Sequence, residues 1–177
     1  MNGSPANASR FNFTLRELLL AMVAIGALLA LAVKSYEKAQ PFVPTGLFES
    51  LDTSKAKTTV AAVGRQLEVE MDQIGAGESE SSGGNSASRE IRLNVRMPSE
   101  TFAEVVGGLQ AEIEKMLVED GCAIVSSGGA SEGGKTNLTQ FSFDYKKENT
   151  RGHVFVHRVP ASSETLNLYI LLHEFRQ

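Results

Sequence analysis

The chain has 177 residues, of which 42% are hydrophobic and 21% are charged, and these proportions are typical of one globular domain with an appendage. The formal net charge of −4 becomes about −5 once residues 1–33, with two arginines and one glutamate, are set aside, which disfavours nucleic acid as a partner. The single cysteine, Cys122, excludes an intramolecular disulfide, and we expect its side chain to be buried as a small apolar group.

A membrane-spanning segment is predicted near the start of the chain. An uncharged run from Leu18 to Val33 follows the polar segment 1–14 and predicts a transmembrane helix over residues 15–36. The 16 residues of this run make a helix of only about 24 Å, against about 30 Å of hydrocarbon, but Tyr36 suits the interface and the flanks complete the span. A core helix of a soluble protein normally has a polar stripe, which this run lacks. We therefore expect the run to contact the lipid bilayer.

Two fates are open for this segment. Ala30-Leu31-Ala32 fits the small-x-small pattern of a signal-peptidase site, so a secreted product cleaved near Ala32 is one alternative. The length of the run and the acidic Glu17 favour an uncleaved, single-pass anchor in the cell membrane. The flanking basic residues are balanced in number, and we place the short segment 1–14 in the cytoplasm and the bulk of the chain outside it.

The stretch Phe13-Thr-Leu-Arg-Glu-Leu18 and the apolar run after it carry two resemblances. They resemble the F-[ST]-L-R-E-L leader of uncharacterised single-pass proteins in planctomycete-type bacteria, which implies an anchor in the cell envelope and no known activity. The same stretch is similar to a type IV prepilin or pseudopilin leader, in which a phenylalanine begins the mature chain and a glutamate stands five residues in, as Phe13 and Glu17 do. It differs by having Asn12 where prepilin peptidase expects glycine.

Three segments of different character follow the anchor. Residues 37–54 read as a connection, because Pro41 and Pro44 break the helix. Residues 55–75 predict an amphipathic helix, since apolar residues recur every three or four positions. The apolar stripe consists of Val60, Val63, Leu67, Met71 and Ile74. Residues 76–88 are rich in glycine and serine and predict a low-complexity, flexible linker.

Residues 89–177 predict a small α+β domain. Alternation predicts a strand over residues 90–97, followed by a helix over residues 99–119 that is capped by Ser99 and stopped by Gly121. The apolar face of this helix contains Phe102, Val105, Val106, Leu109, Ile113, Met116 and Leu117. Further strands are predicted over residues 122–127, 137–146, 152–159 and 165–175. The order β-α-β-β-β-β predicts an antiparallel-rich sheet with one packed helix.

The last predicted strand is apolar on both faces. Its two faces hold Leu166, Leu168, Ile170 and Leu172 on one side and Tyr169, Leu171 and Phe175 on the other. The helix over residues 99–119 can cover only one face. We therefore expect the stripe of the 55–75 helix, or a second copy of the domain, to pack on the other.

One segment, Gly129-Ala-Ser-Glu-Gly-Gly-Lys135-Thr136, satisfies the phosphate-loop pattern GxxxxGK[ST]. Such a loop works by presenting the N-terminus of the following helix to the phosphates, whereas residues 137–145 alternate as a strand. We therefore interpret the segment as a glycine-rich hairpin loop and expect no nucleotide to bind.

The three histidines are further candidates for chemistry. His153 and His157 lie four positions apart on one strand, about 13 Å from each other, which is too far to share one metal ion. His173, which is followed by Glu174, is predicted on the neighbouring strand. A pair formed across the two strands by His173 and one of the other histidines could still hold zinc. We interpret the three as surface histidines on a solvated sheet face. A small envelope enzyme that uses His153, His157 or His173 with an acid is kept as an alternative.

The sequence contains no G-x-S-x-G nucleophile motif, and the lone cysteine has no basic neighbour in sequence. We assign no catalytic, cofactor-binding or metal-binding residue. The expected function is that of a non-enzymatic, membrane-anchored module outside the cytoplasm, which works through a protein partner or a homodimer. A pilin-like assembly subunit is the leading alternative.

Overall fold

The computed structural model of the chain describes residues 14–39, 42–131, 138–162 and 164–176. The chain forms two compact units, residues 1–40 and residues 41–177. The predicted α+β class, with an N-terminal apolar helix and an antiparallel sheet, is confirmed.

The first unit contains helix α1, Leu15–Ala39. Thr14 and Glu17 begin it as a capping box, in which the Glu17 carboxylate accepts hydrogen bonds from the Thr14 N–H (2.8 Å) and hydroxyl (2.9 Å). The span Leu15–Tyr36 is long and apolar enough to cross a membrane, since its 22 residues measure about 33 Å as a helix. A signal sequence has the same properties, so the length and composition of α1 fit both an uncleaved anchor and a cleaved signal sequence.

The second unit is built on one antiparallel sheet of six strands. These strands are β1 Asp72–Gly83, β2 Ser86–Arg96, β3 Ala123–Ser131, β4 Leu138–Lys147, β5 Thr150–Ser162 and β6 Thr165–Arg176. Their order across the sheet is β1-β2-β6-β5-β4-β3. The five strands predicted from alternation correspond to β2 through β6, and the C-terminal strand β6 lies in the middle of the sheet.

Strand β1 occupies the segment that was predicted to be a flexible linker over residues 76–88, and that prediction is wrong. The glycines and serines of β1 show no apolar alternation, and β1 is held by antiparallel pairing along β2 together with contacts from Arg89. Arg89 Nε lies 2.9 Å from Glu78 Oε1, and Arg89 Nη2 donates to Glu80 Oε2 at 3.0 Å. Thr53 also donates its backbone N–H to Glu78, at 3.2 Å. The folded unit therefore begins well before residue 89.

The helix predicted over residues 55–75 is shorter than expected. Helix α3 is Thr53–Gln66, and it begins where the Asp52 carboxylate accepts the backbone N–H of Lys55 at 2.7 Å. Its end is marked by Glu68, whose φ of 55° lies in the left-handed region. The chain then enters β1, so the predicted apolar stripe is divided between a helix, a turn and a strand.

Helix α4, Phe102–Glu119, follows a 3-10 turn at Ser99–Thr101. Ser99 therefore begins the turn and does not cap α4. All seven apolar residues predicted for the buried face of this helix are buried. The 3.6-residue period thus identified the packing face correctly, although the predicted cap, Ser99, lies two residues before the observed N-cap, Thr101.

Both helices pack on the same face of the sheet, where the core lies. Strands β2, β4, β5 and β6 contribute Ile91, Leu93, Val95, Phe141, Phe143, Val154, Val156, Leu166, Leu168, Ile170 and Leu172 to this core. Helix α3 contacts α4 and the first two strands. A Cβ atom on Gly108 would lie 2.5 Å from Val63 Cγ1, so glycine is required for this close helix crossing. The expectations of one packed helix, and of the 55–75 segment on the opposite face, are wrong.

Residues 42–51, which we call the strap, form the start of the second unit and include the short helix α2, Leu47–Ser50. Phe42, Leu47, Phe48 and Leu51 are buried in the core. The connection predicted over residues 37–54 is therefore an ordered part of the fold from Phe42 onward.

Candidate functional site

The face of the sheet opposite α3 and α4, which we call the open face, is the first candidate site. Three adjacent rows of side chains cross it in the strand order β4, β5, β6 and β2. The rows are Asp144, His153, His173, Ser88; then Ser142, Phe155, Leu171, Glu90; then Gln140, His157, Tyr169, Arg92. Leu171 is 37% exposed and Val159, further along β5, is 43% exposed. The open face therefore presents aromatic, aliphatic and charged groups together.

Four rings form a stacked series on the open face. Ring centroids are 6.5 Å apart for His153 and Phe155, 5.3 Å for Phe155 and His157, and 4.9 Å for His157 and Tyr169, with the last two rings only 8° from parallel. The Arg92 guanidinium lies 5.9 Å from the Tyr169 ring centroid. Because each ring is held by its neighbours, this series loses little conformational entropy when a partner binds.

Asp144 connects a serine and a histidine on the open face. Its carboxylate accepts the Ser126 hydroxyl and lies 2.7 Å from His153 Nδ1. The hydrogen bonds from Ser126 and His153 hold the pKa of Asp144 below its usual value, despite the opposing effect of burial. Activation of a serine needs the histidine between the carboxylate and the hydroxyl. Here the carboxylate stands in the middle, so this arrangement orients the His153 ring and does not activate Ser126.

The three predicted histidines all lie on the open face, as the alternation predicted. His153 is paired with His173 across β5 and β6, whereas His157 is paired with Tyr169. Among the described residues, no group of three histidine, cysteine, aspartate or glutamate side chains is placed to hold a metal ion. Glu174 points to the covered face and is fully buried, so its suggested grouping with His173 is wrong.

Glu174 instead forms a buried polar cluster that the sequence analysis missed. Its Oε1 accepts hydrogen bonds from the Tyr145 hydroxyl (2.6 Å) and the Phe48 N–H (3.1 Å), and its Oε2 accepts the Thr45 N–H (2.8 Å). Burial raises the pKa of Glu174, although these three donors oppose the rise. Gly152 on β5 leaves space for the Tyr145 ring, since a Cβ there would lie 2.1 Å from Tyr145 Cζ. The cluster fastens the strap to the sheet.

Cys122 lies beside this cluster and is 7% exposed. Burial raises the pKa of its thiol, which is the opposite of what a nucleophile or metal ligand requires. The expectation of a small buried side chain is therefore confirmed.

A cleft of about 580 Å³ opens at the other end of the sheet. Its lining residues are Glu70, Asp72, Arg96, Met97, Pro98, Ser99, Glu100 and Glu164. The single cation, Arg96, is already paired with Glu164 at 2.9 Å. Carboxylates outnumber it, so this cleft disfavours an anionic substrate.

Residues 132–137 of the phosphate-loop pattern lie outside the described residues. The flanking strands β3 and β4 are antiparallel neighbours in the sheet. The segment thus connects two strands, whereas a phosphate loop connects a strand to a helix.

No family model matches this chain, and no curated protein or solved structure is significantly similar to it.

Proposed function

We propose that this protein is a membrane-tethered, non-enzymatic module whose open face binds a protein partner outside the cytoplasm. Helix α1 supports the tether by its length and composition. The open face supports the binding role, because one side of the sheet is covered by two helices while the other presents stacked rings to solvent.

The composition of the open face is the observation that carries the proposal. Aromatic residues and arginine are enriched at the centres of protein interfaces, and Phe155, Tyr169 and Arg92 lie close together on adjacent strands. Leu171 and Phe175, each 37% exposed, add apolar surface beside them.

Two observations favour this role over the alternatives. The order of Ser126, Asp144 and His153 does not suit nucleophilic catalysis, as argued above. The capping box gives Glu17 a local role in starting α1, which accounts for a glutamate at this position without pilus assembly.

We expect the chain to stay in the membrane pellet after carbonate extraction with its N-terminus intact, because α1 is long enough to span the hydrocarbon core. Intact-mass measurement of the extracted protein is the test. A soluble product that begins at Val33 would make α1 a signal sequence, and a product that begins at Phe13 would support the pilin-like alternative.

Site-specific photo-cross-linking in intact membranes tests the binding role. A photoreactive residue in place of Leu171 on the open face should give one discrete protein adduct. The adduct should be lost when Phe155→Ser and Tyr169→Ser are combined, since these changes remove two rings of the stacked series.

The matched control is the same photoreactive residue in place of Glu114, which is exposed on α4 on the other side of the sheet. Equal adducts from both positions would contradict the proposal. An adduct of twice the mass of the chain would identify the partner as a second copy.

A further inference from the structure

Two cations without acidic partners lie opposite each other at one end of the open face. Lys146 on β4 and Arg151 on β5 are direct cross-strand neighbours. Within the described part of the chain, neither side chain forms an ion pair, although Glu148 lies in the turn between them in sequence. Like charges directly opposite in an antiparallel pair are destabilising. An external anion that contacts both side chains would relieve this repulsion.

The next residue in the same row is aromatic. Arg151 is paired with Phe175 on β6, and Phe175 is 37% exposed. We call Lys146, Arg151 and Phe175 the end row. Two cations beside an exposed aromatic ring suit the interface of an anionic bilayer. There the cations can contact lipid phosphates while the ring contacts the first methylene groups of the acyl chains.

The covalent structure ties this end of the sheet to the membrane helix. The Thr45 hydroxyl in the strap donates to the hydroxyl of Thr150, the residue before Arg151, at 3.3 Å. Thr45 follows Ala39, the last residue of α1, by six positions, and six residues extend at most about 21 Å. This length allows the end row to reach the headgroup region of a bilayer that α1 spans.

We infer that the end row binds the anionic phospholipid headgroups of the membrane that holds α1. The inference rests on the membrane tether of the proposed function. It adds a second, electrostatic attachment and leaves the stacked rings in the middle of the open face available to a protein. A lipid headgroup and free inorganic phosphate would both present a phosphate oxyanion to the end row. The short connection to α1 favours the lipid headgroup.

The test uses the full chain in nanodiscs of either anionic or zwitterionic lipid, and it measures amide hydrogen exchange over residues 146–151. One cation near an anionic surface strengthens binding roughly fivefold. We therefore expect the amides of residues 146–151 to exchange at least about fivefold more slowly in anionic discs than in zwitterionic discs. The difference should disappear in about 1 M salt, because the Debye length falls to about 3 Å.

The combined variant Lys146→Gln and Arg151→Gln should exchange at the same rate in both lipids. The matched control, Lys55→Gln with Lys57→Gln, removes the same charge from α3 and should keep the full lipid dependence. Unchanged exchange in β2 and β6 confirms that both variants are folded.

Equal exchange of the wild-type chain in both lipids would overturn the inference, as would a lipid dependence that survives in the Lys146 and Arg151 variant. Slower exchange caused by inorganic phosphate in zwitterionic discs would assign the site to a free anion and overturn the lipid assignment. A chain that does not enter the discs would instead show that the tether has failed, so the two failures are distinguishable.

Discussion

Replacement of Arg89 by alanine is expected to lower the free energy of unfolding of residues 41–177 by about 2–3 kcal/mol, because two carbonyl oxygens would lose their donor and each buried unpaired group costs about 1–3 kcal/mol. The Arg89 side chain is only 13% exposed. Its Nη1 donates to the carbonyl oxygens of Phe48 (2.6 Å) and Leu51 (3.0 Å), and its guanidinium lies 4.3 Å from the Phe48 ring centroid. Alanine would leave these carbonyls without a donor.

The same variant should also release β1. Arg89 is the cation that faces both Glu78 and Glu80, at 2.9 Å and 3.0 Å. Without it, two carboxylates on one face of an edge strand would have no cation between them and would repel each other. Urea unfolding followed by circular dichroism measures the loss of stability, and amide exchange over residues 72–83 measures the release of β1.

The matched control is Arg92→Ala on the same strand. Arg92 is 59% exposed and pairs with Glu90 on the open face, so its removal should change stability by less than about 1 kcal/mol. Similar losses for the two variants would contradict the role assigned to Arg89.

Replacement of Glu174 by alanine should cost at least about 3 kcal/mol, because three donors would lose their acceptor and each buried unpaired group costs about 1–3 kcal/mol. The donors are the Tyr145 hydroxyl and the backbone N–H groups of Thr45 and Phe48. The strap should exchange its amides faster in this variant. Glu174→Gln keeps one carbonyl acceptor and should lose less stability, and equal losses would contradict the hydrogen-bond assignment.

The Glu174→Gln variant also gives a pH signature with a defined sign. The pKa of Glu174 is raised by burial in the folded state, so its stabilising contribution is complete below the unfolded value of about 4.3 and declines as pH rises through the folded pKa. The stability of the wild-type chain relative to the Gln variant should therefore fall as the pH rises from about 4 through the folded pKa of Glu174. Urea unfolding at several pH values measures this difference, and a rise instead of a fall would show that the three donors outweigh burial.

The elements that sequence reasoning identified are those in which apolar residues alternate or recur with helical period. Strands β2 to β6 and the buried face of α4 have this property, and they were predicted with small errors at their ends. Strand β1 lacks it, because its residues are mostly glycine, serine and glutamate. It is held by pairing with β2 and by the contacts of Arg89 with Glu78 and Glu80, which the sequence alone does not reveal.

The candidate site was predictable to a similar extent. Alternation placed His153 and His157 on one face, and the structure confirms this. The pairing of His153 with His173 and the contact of His153 with Asp144 depend on strand register, which side-chain period alone does not fix. The role of Glu174 was hidden because its partners Thr45 and Phe48 are more than 120 residues away in sequence.

The central place of β6 has a consequence for how the sheet assembles. Strand β6 lies between β2 and β5, so it joins the β1-β2 hairpin to strands β3, β4 and β5. Until β6 is in place, β2 and β5 each present an unpaired edge that invites aggregation. Loss of β6 would therefore divide the sheet into two parts and separate the rows of the open face.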